Sequence, residues 1–341
     1  MTPATDLDQL ALQLTRPGHG ILAADESTAT IEKRFSSCGI PCTEETRRDY
    51  RTLLFTAPRF ADVIAGVILY EETLFQKTAE GEPLVRLLER AGVVPGIKVD
   101  KGAKPLAGYP GETVTEGLDG LRERLVRYRE AGARFTKWRA VIAIGPGLPT
   151  SGAVEANAEA LARYAALAQE QGFVPIVEPE VLMDGDHDIG RCAAVSETTL
   201  RAVFAALARH RVRLEAMILK PNMVVDGTKQ PHRSPPETVA AHTLAVLRKT
   251  VPAAVPAVAF LSGGQSPEEA TRHLDAMNRR GPHPWRLTFS FARALQDDAM
   301  RTWAGCAENV ARAQDAFARR VAGNALATQG RYDASGKASA A

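Results

Sequence analysis

An α/β fold of the (β/α)8 TIM-barrel class, in one domain with extra N-terminal helix, is what this sequence predicts. Three observations carry that expectation. Eight short apolar or β-branched runs alternate with segments of helical spacing. Such alternation implies parallel strands with right-handed helical crossovers, and eight is the number that closes a barrel. The open doubly wound sheet is the alternative, but no G-x-G-x-x-G follows the first run. A length of 341 residues suits two ordinary domains or one barrel, and the interior holds no Pro/Ser-rich linker. The expected boundaries are a barrel over 1–328 and a short, disordered, flexible C-terminal tail over 329–341, where Gly, Ser and Ala dominate.

In chain order the strand-like runs are 20–25, 62–70, 94–100, 135–144, 173–180, 216–222, 257–263 and 287–291. Helical spacing fills 83–91, 115–131, 154–171, 196–210, 236–250 and 267–279, several opened by Ser, Thr or Pro. The stretch 44–55 is extra helix between the first two strands.

Composition narrows the function. With 45% hydrophobic and 24% charged residues the chain can bury a large core, and a net charge of +2 removes the electrostatic reason to expect nucleic acid or an acidic membrane surface. The most apolar stretch, 251–261, is too short for a spanning helix and holds two prolines. The N-terminus is polar and acidic, unlike a signal peptide. A soluble, cytoplasmic protein is expected. Cys38, Cys42, Cys192 and Cys306 form no C-x-x-C pair and are read as free thiols.

Among the basic residues, 32 are Arg and only 10 are Lys. An amine can lose its proton and attack a carbonyl, whereas a guanidinium stays charged. Half of the lysines (Lys98, Lys101, Lys104, Lys137, Lys220) lie at or just past strand ends, the rim on which a barrel builds its active site. Asp25, Asp100, Arg139, Glu178, Glu180, Ser262, Ser290 and Arg293 likewise lie toward or just past the ends of runs. Period-two alternation puts Lys137 with Arg139, Glu178 with Glu180, and Lys98 with Asp100 on shared faces. A lone strand-end lysine is ordinarily a solvated charge, and SGG is a common loop. Convergence on one barrel mouth argues otherwise, because so many charges need an anionic ligand to join them.

An unperturbed lysine is neutral in only about one molecule in 2500 at pH 7. Burial and a second cation are expected to lower the proton affinity of Lys220, with Lys137 as the cation. The freed amine would form an imine with a ketone, an electron sink beside which a carbon–carbon bond can break. Glu178 would shuttle protons during dehydration, and Asp25 would take a hydroxyl proton across the breaking bond. Ser262, Gly263, Gly264 and Arg293, after the last two strands, suit a phosphate. A second cluster of Ser27, Lys33, Arg34 and Lys98 suits another, so a bisphosphorylated ketose is the expected substrate.

These residues bring the chain to a known family. It resembles the class I, metal-free fructose-bisphosphate aldolases from about residue 10 to residue 337, through GILAADEST (20–28), GVILYEETL (66–74), GIKVDKG (96–102), KWR (137–139), PIVEPE (175–180), LKPNMV (219–224), FLSGGQS (260–266) and FSFARALQ (289–296). The resemblance implies that Lys220 is the Schiff-base lysine and Glu178 the principal acid/base, with Asp25, Lys137 and Glu180 assisting. It implies that Ser262, Gly263 and Arg293 hold the ketone-side phosphate. Ser27, Thr30, Lys98 and Arg34 would meet the aldehyde-side phosphate, with Arg139 nearby and Arg47 a weaker match. It also implies sugar phosphates as partners, a homotetramer, and no cofactor or metal.

The sequence departs from the family pattern in places. Ala292 replaces a glycine and would strain the phosphate loop if that glycine used a positive φ. Thr30 stands for a serine and keeps the hydroxyl. Many members continue beyond the Gly330-Arg331-Tyr332 segment to a tyrosine that folds over the site. This chain stops at Ala341, and Tyr332 is not that residue, so either slower proton transfer or a truncated form is expected. The DGDHD segment (184–188) mimics a calcium loop but has Ile189 and Val195 where Gly and Glu belong, and reads as a polar helix start. Scattered histidines give a zinc-dependent aldolase no ligand set. Two rivals stand beside this reading: another Schiff-base sugar-phosphate or keto-acid lyase, and a non-catalytic barrel scaffold that binds protein partners.

Overall fold

The computed structural model describes residues 4–333. The described residues form ten strands: β1 Gly20–Ala24, β2 Ile64–Leu69, β3 Val94–Lys98, β4 Ala103–Pro105, β5 Thr113–Thr115, β6 Phe135–Ile142, β7 Val174–Val181, β8 Ile218–Leu219, β9 Ala257–Phe260 and β10 Arg286–Phe291. Eight of them close a parallel barrel in the order β1-β2-β3-β6-β7-β8-β9-β10, with β10 back on β1, so the eight expected runs are the eight barrel strands. The helices are α1 Ala4–Leu14, α2 Thr28–Ser36, α3 Glu44–Phe55, α4 Glu71–Phe75, α5 Leu84–Arg90, α6 Leu121–Glu130, α7 Ser151–Glu170, α8 Ile189–Arg209, α9 Pro236–Thr250, α10 Pro267–Asn278, α11 Arg293–Trp303 and α12 Val310–Ala327.

The barrel interior is built in two layers by one period-two pattern. Its lower layer is apolar: Ile21, Ala23, Ile68, Val94, Phe135, Val174, Ile176, Ile218 and Ala259 cluster with Leu7, Ala11 and Leu14 of α1, which plugs the N-terminal end. Continuing by two residues along the same faces gives the polar upper layer: Asp25, Lys98, Lys137, Arg139, Glu178, Glu180 and Lys220. Glycine makes room for the plug, since a Cβ on Gly66 would meet Leu14 at 2.7 Å and one on Gly96 would overlap the Phe135 ring. A larger shell, including Leu22, Val67, Trp138, Val177, Leu219 and Phe291, packs the strands against the surrounding helices.

Some expected elements are corrected. The helix anticipated from residue 115 starts at Leu121, because Thr113–Thr115 pairs antiparallel with Ala103–Pro105 as a hairpin beside the mouth. Positive φ at Gly117 and Gly120 breaks the chain between them. Helix α8 begins at Ile189 rather than 196, because Asp188 caps it by accepting from the Arg191 N–H at 2.7 Å. The DGDHD segment is thus a polar loop that starts a helix. The flexible tail expected from residue 329 is wrong for 329–333: Tyr332 is buried, its N–H donates to Asp275 Oδ1 at 2.8 Å and its hydroxyl to Glu268 Oε1 at 2.9 Å. The rest of that segment, 334–341, lies outside the described residues. All four cysteines are free thiols. Among the described residues no helix is long and apolar enough to cross a membrane.

Substituting Gly96→Val should cost about 1–3 kcal/mol or more, since the Phe135 ring has nowhere to go beneath the plug. Urea unfolding measures it, and the lysine layer above should make no difference to the result.

Candidate active site

The upper layer opens into a cleft of about 220 Å³, lined by Asp25, Glu26, Ser27, Thr30, Lys98, Lys137, Arg139, Glu178, Glu180, Lys220, Ser262, Gly263, Ser290 and Arg293, with Ala23, Leu261 and Ala292. At its base four buried ions form a chain. Lys220 Nζ lies 3.2 Å from Glu178 Oε1, Glu178 Oε2 lies 3.3 Å from Lys137 Nζ, and Lys137 Nζ lies 2.6 Å from Asp25 Oδ2. Two cations and two anions thus balance in a dry environment. Burial alone would raise the Asp25 carboxyl, but the charges of Lys137 and Lys220 overcome it and hold it at about 2. Burial likewise opposes the charge on Lys137, and Asp25 with Glu178 reverses this and raises it. Asp25 is therefore an anion and Lys137 a cation at neutral pH. Glu178 Oε2 makes no directed hydrogen bond, and neither does the buried Ser290 hydroxyl, so both keep bonding capacity at the cleft.

The register of Lys220 against Glu178 has a specific local cause. Strand β8 is two residues long, and its ladder to β7 ends with the Lys220 N–H donating to Val177 O at 2.8 Å. Beyond that point Asn222 replaces the missing strand: its Oδ1 accepts from the Val181 N–H at 3.0 Å. Its Nδ2 donates to Ser196 Oγ and Met223 O at 3.1 Å. Buried Asn222 thereby holds the segment carrying Glu178 and Glu180 alongside Lys220. Sequence reasoning missed it, because only the short β8 shows that the ladder needs a side-chain substitute.

Toward the rim, Arg139 pairs with Glu180, and Lys98 lies 2.6 Å from Asp100 Oδ1. Burial opposes the Arg139 charge, but Glu180 raises it above its ordinary range. Two helix N-termini face the cleft: α2, with Ser27 Oγ 3.1 Å from Thr30 Oγ1, and α11, whose first residue is Arg293. Among the described residues Arg293 has no ion-pair partner. Ala292 has φ −105°, outside the left-handed region, so the feared alanine strain in this loop is absent. Gly264 has φ +71°, and a Cβ there would meet Met183 at 2.7 Å, so the SGG turn requires glycine. His273 braces that turn: its buried ring donates to Gln265 Oε1 at 2.6 Å, and burial lowers it to about 4.

Not every expected residue reaches the cleft. Lys33 is exposed on α2 and lines nothing. Arg34 is engaged with Glu26 and, at 3.0 Å, with Asp297. Arg47 forms a two-pronged pair with Glu72 at 2.6 and 2.8 Å, and Gly264 does not line the cleft. The Lys33–Arg34 cluster is therefore not a pair of free cations. Glu26, which sequence reasoning overlooked, consumes Arg34 and Arg51, the latter at 2.7 Å. Its only signal was adjacency to Asp25 in GILAADEST.

A closed parallel barrel with buried, mutually neutralised lysines and carboxylates at the C-terminal mouth defines a (β/α)8-barrel enzyme. Comparison with known proteins gives its family. The class-I fructose-bisphosphate aldolase family matches residues 6–341. The chain is 54% identical over 335 residues to "Fructose-bisphosphate aldolase 6, cytosolic" of Arabidopsis thaliana, covering 98% of this chain and 93% of that protein. It is 53% identical over 327 residues to "Probable fructose-bisphosphate aldolase class 1" of Xanthomonas campestris pv. campestris, covering 96% and 98%. A crystal structure of Plasmodium falciparum fructose-bisphosphate aldolase, in complex with TRAP and a small-molecule inhibitor, superposes with a TM-score of 0.96 at 48% identity, covering 97% of each chain. The chain belongs to the class-I fructose-bisphosphate aldolase family. It is a lyase of glycolysis that catalyses the reversible aldol cleavage of fructose 1,6-bisphosphate to dihydroxyacetone phosphate and glyceraldehyde 3-phosphate.

Two outcomes test this geometry. Asn222→Ala should lower kcat by up to about 100-fold while changing KM little, because the Lys220–Glu178 register slips and the rim groups do not. Steady-state kinetics decide it, with Asn222→Asp, which keeps the acceptor, falling between. His273 has a lowered folded value, so its contribution to stability is complete above its unfolded value near 6.5 and is lost as pH falls toward 4. Urea midpoints between pH 7 and 4.5 should therefore fall less steeply in His273→Gln than in the wild type.

Proposed function

We propose that cleavage proceeds through a Schiff base on Lys220. The observation that carries this reading is Glu178 placed between two buried amines, 3.2 Å from one and 3.3 Å from the other. Glu178 takes a proton from the Lys220 ammonium 3.2 Å away, the freed nitrogen adds to the C2 carbonyl of the open-chain ketose, and a proton passes from that nitrogen to the new alkoxide, giving a carbinolamine. Glu178 supplies the proton with which the C2 hydroxyl leaves as water, and the protonated imine remains. The C3–C4 bond then breaks: its electron pair flows into the imine to give an enamine, while the C4 hydroxyl loses its proton to Asp25. Glyceraldehyde 3-phosphate leaves, C3 of the enamine takes up a proton, and water hydrolyses the imine to dihydroxyacetone phosphate and free Lys220. Lys137 is the fixed cation that keeps Asp25 anionic as a base, and Glu180 restrains Arg139.

The ketone-side phosphate goes to Ser262, Gly263, Ser290 and Arg293 at the α11 N-terminus, a natural anion site. The aldehyde-side phosphate goes to Ser27, Thr30 and Lys98 at the α2 N-terminus, with Arg139 at hand. Arg34 and Arg47 serve this side by holding Glu26 and Glu72 rather than by touching phosphate. Metal independence belongs to the same reading, because the imine does the electron-withdrawing work a metal would otherwise do. A homotetramer, a cytoplasmic location and a single catalytic domain complete the proposal. The cytosolic names of the plant relatives favour the location.

Borohydride reduction in the presence of dihydroxyacetone phosphate should yield a stable adduct that peptide mass spectrometry places on Lys220. An adduct on another lysine would move the nucleophile, and none at all would favour a non-catalytic scaffold. Lys220→Arg keeps charge and bulk, so the fold should survive while kcat falls by more than about 100-fold. Residual activity within tenfold of wild type would overturn the assignment. Arg293→Ala should raise KM about tenfold or more through loss of a charge-assisted hydrogen bond. Chelators should leave the rate unchanged.

A further inference from the structure

The loop that follows β9 keeps its backbone donors unspent. The Leu261 N–H still donates to Pro221 O, at 3.1 Å, and extends the barrel ladder past the strand. Among the described residues, the N–H groups of Ser262, Gly263 and Gly264 that come next donate to no protein atom. Donors left for an anion cannot also fasten the loop, so it has to be fastened through its acceptors. Within the turn, Ser262 O accepts from the Gln265 N–H at 3.3 Å, which is long for such a bond. Gly264, the third residue of that turn, stands at φ +71°, and glycine populates either sign of φ about as readily. The turn by itself is weakly held.

The firm bond comes from the loop after β8. Arg233 Nη1 donates to Gly264 O at 2.8 Å. Among the described residues no other group outside the turn bonds the backbone of Ser262, Gly263 or Gly264. On the other flank His273 takes the Gln265 side chain at 2.6 Å. The segment that presents Arg233 is itself pinned. The N–H groups of Gly227, Thr228 and Lys229 donate to the carbonyls of His187, Met183 and Gly185, each at 2.8 Å. Buried Asp226 accepts from the Ser234 N–H at 2.7 Å and from the Ile189 N–H, in the first turn of α8, at 2.9 Å. Arg233 Nε also lies 3.7 Å from Glu269 Oε1 on α10, a pair too open to contribute much by itself.

We propose that Arg233 is a positioning residue for the ketone-side phosphate: its bond to Gly264 O holds the turn in the conformation that keeps Ser262 and Gly263 on the cleft wall. This role rests on the ketone-side phosphate placement proposed above. Arg233 does not line the cleft, so it acts through the turn and not on the substrate. The effect is confined to one end of the substrate. The aldehyde-side groups Ser27, Thr30 and Lys98 belong to the segments after β1 and at the end of β3, to which Arg233 makes no bond among the described residues.

The test is steady-state kinetics in both directions on the full-length protein. Arg233→Ala should raise KM about fivefold for dihydroxyacetone phosphate in condensation and for fructose 1-phosphate in cleavage, the worth of one hydrogen bond. Fructose 1-phosphate carries the ketone-side phosphate alone. KM for glyceraldehyde 3-phosphate, measured at saturating dihydroxyacetone phosphate, should stay within about twofold of wild type, and so should kcat. Arg233→Lys keeps a donor for Gly264 O and should bring KM for dihydroxyacetone phosphate back to within about twofold of wild type. An equal rise in both condensation KM values would overturn the role, because a general loosening of the mouth would account for it. Failure of Arg233→Lys to restore KM would overturn it as well. Arg293→Ala serves as the reference. A rise with Arg293→Ala and none with Arg233→Ala would overturn the role of Arg233 alone; no rise with either would overturn the phosphate placement too.

Discussion

The constraint on which the rest depends is electrical neutrality inside a dry barrel mouth. Burying Lys220 and Lys137 without partners would be prohibitive, and Glu178 and Asp25 make it possible. Each member of the chain is needed by its neighbours, so losing one strands another charge at a cost of about 3–5 kcal/mol. Lys220 accordingly sits among carboxylates and not in an apolar pocket. In the proposed mechanism the groups that balance its charge are also the ones that move protons.

That arrangement has to be rigid, and the barrel makes it so from below. The face that carries the ions at the mouth carries Ile21, Phe135, Ile176 and Ile218 two to four residues earlier, where α1 seals them from water. A change in strand register would move ions into the plug and apolar groups into the cleft, so the hydrophobic layer fixes the polar one. The weak point is β8, too short to hold its neighbour by ladder bonds alone, and Asn222 repairs it.

At the rim the molecule separates cations that are spent from cations that are free. Arg34, Arg47, Arg51 and Arg139 are paired with Glu26, Glu72 and Glu180 and act as struts. Among the described residues Arg293 has no such partner, and it stands at a helix N-terminus, where an anion is favoured twice over.

Much of this was legible in the sequence. Hydrophobic period and strand count determined the barrel, because each inward face needs an apolar lower half. The rarity of lysine drew attention to Lys137 and Lys220, which lie buried on either side of Glu178. Tertiary structure alone decided which cations are free. Sequence spacing put Lys33 and Arg34 beside Lys98 at an anion site, but Glu26 and Asp297, the latter more than 260 residues away in sequence, claim Arg34. The backbone at Ala292, the docking of Tyr332 and the hairpin at Thr113–Thr115 were hidden for a related reason. A sequence records which groups a strand presents, whereas their pairing depends on segments that meet only when the barrel closes.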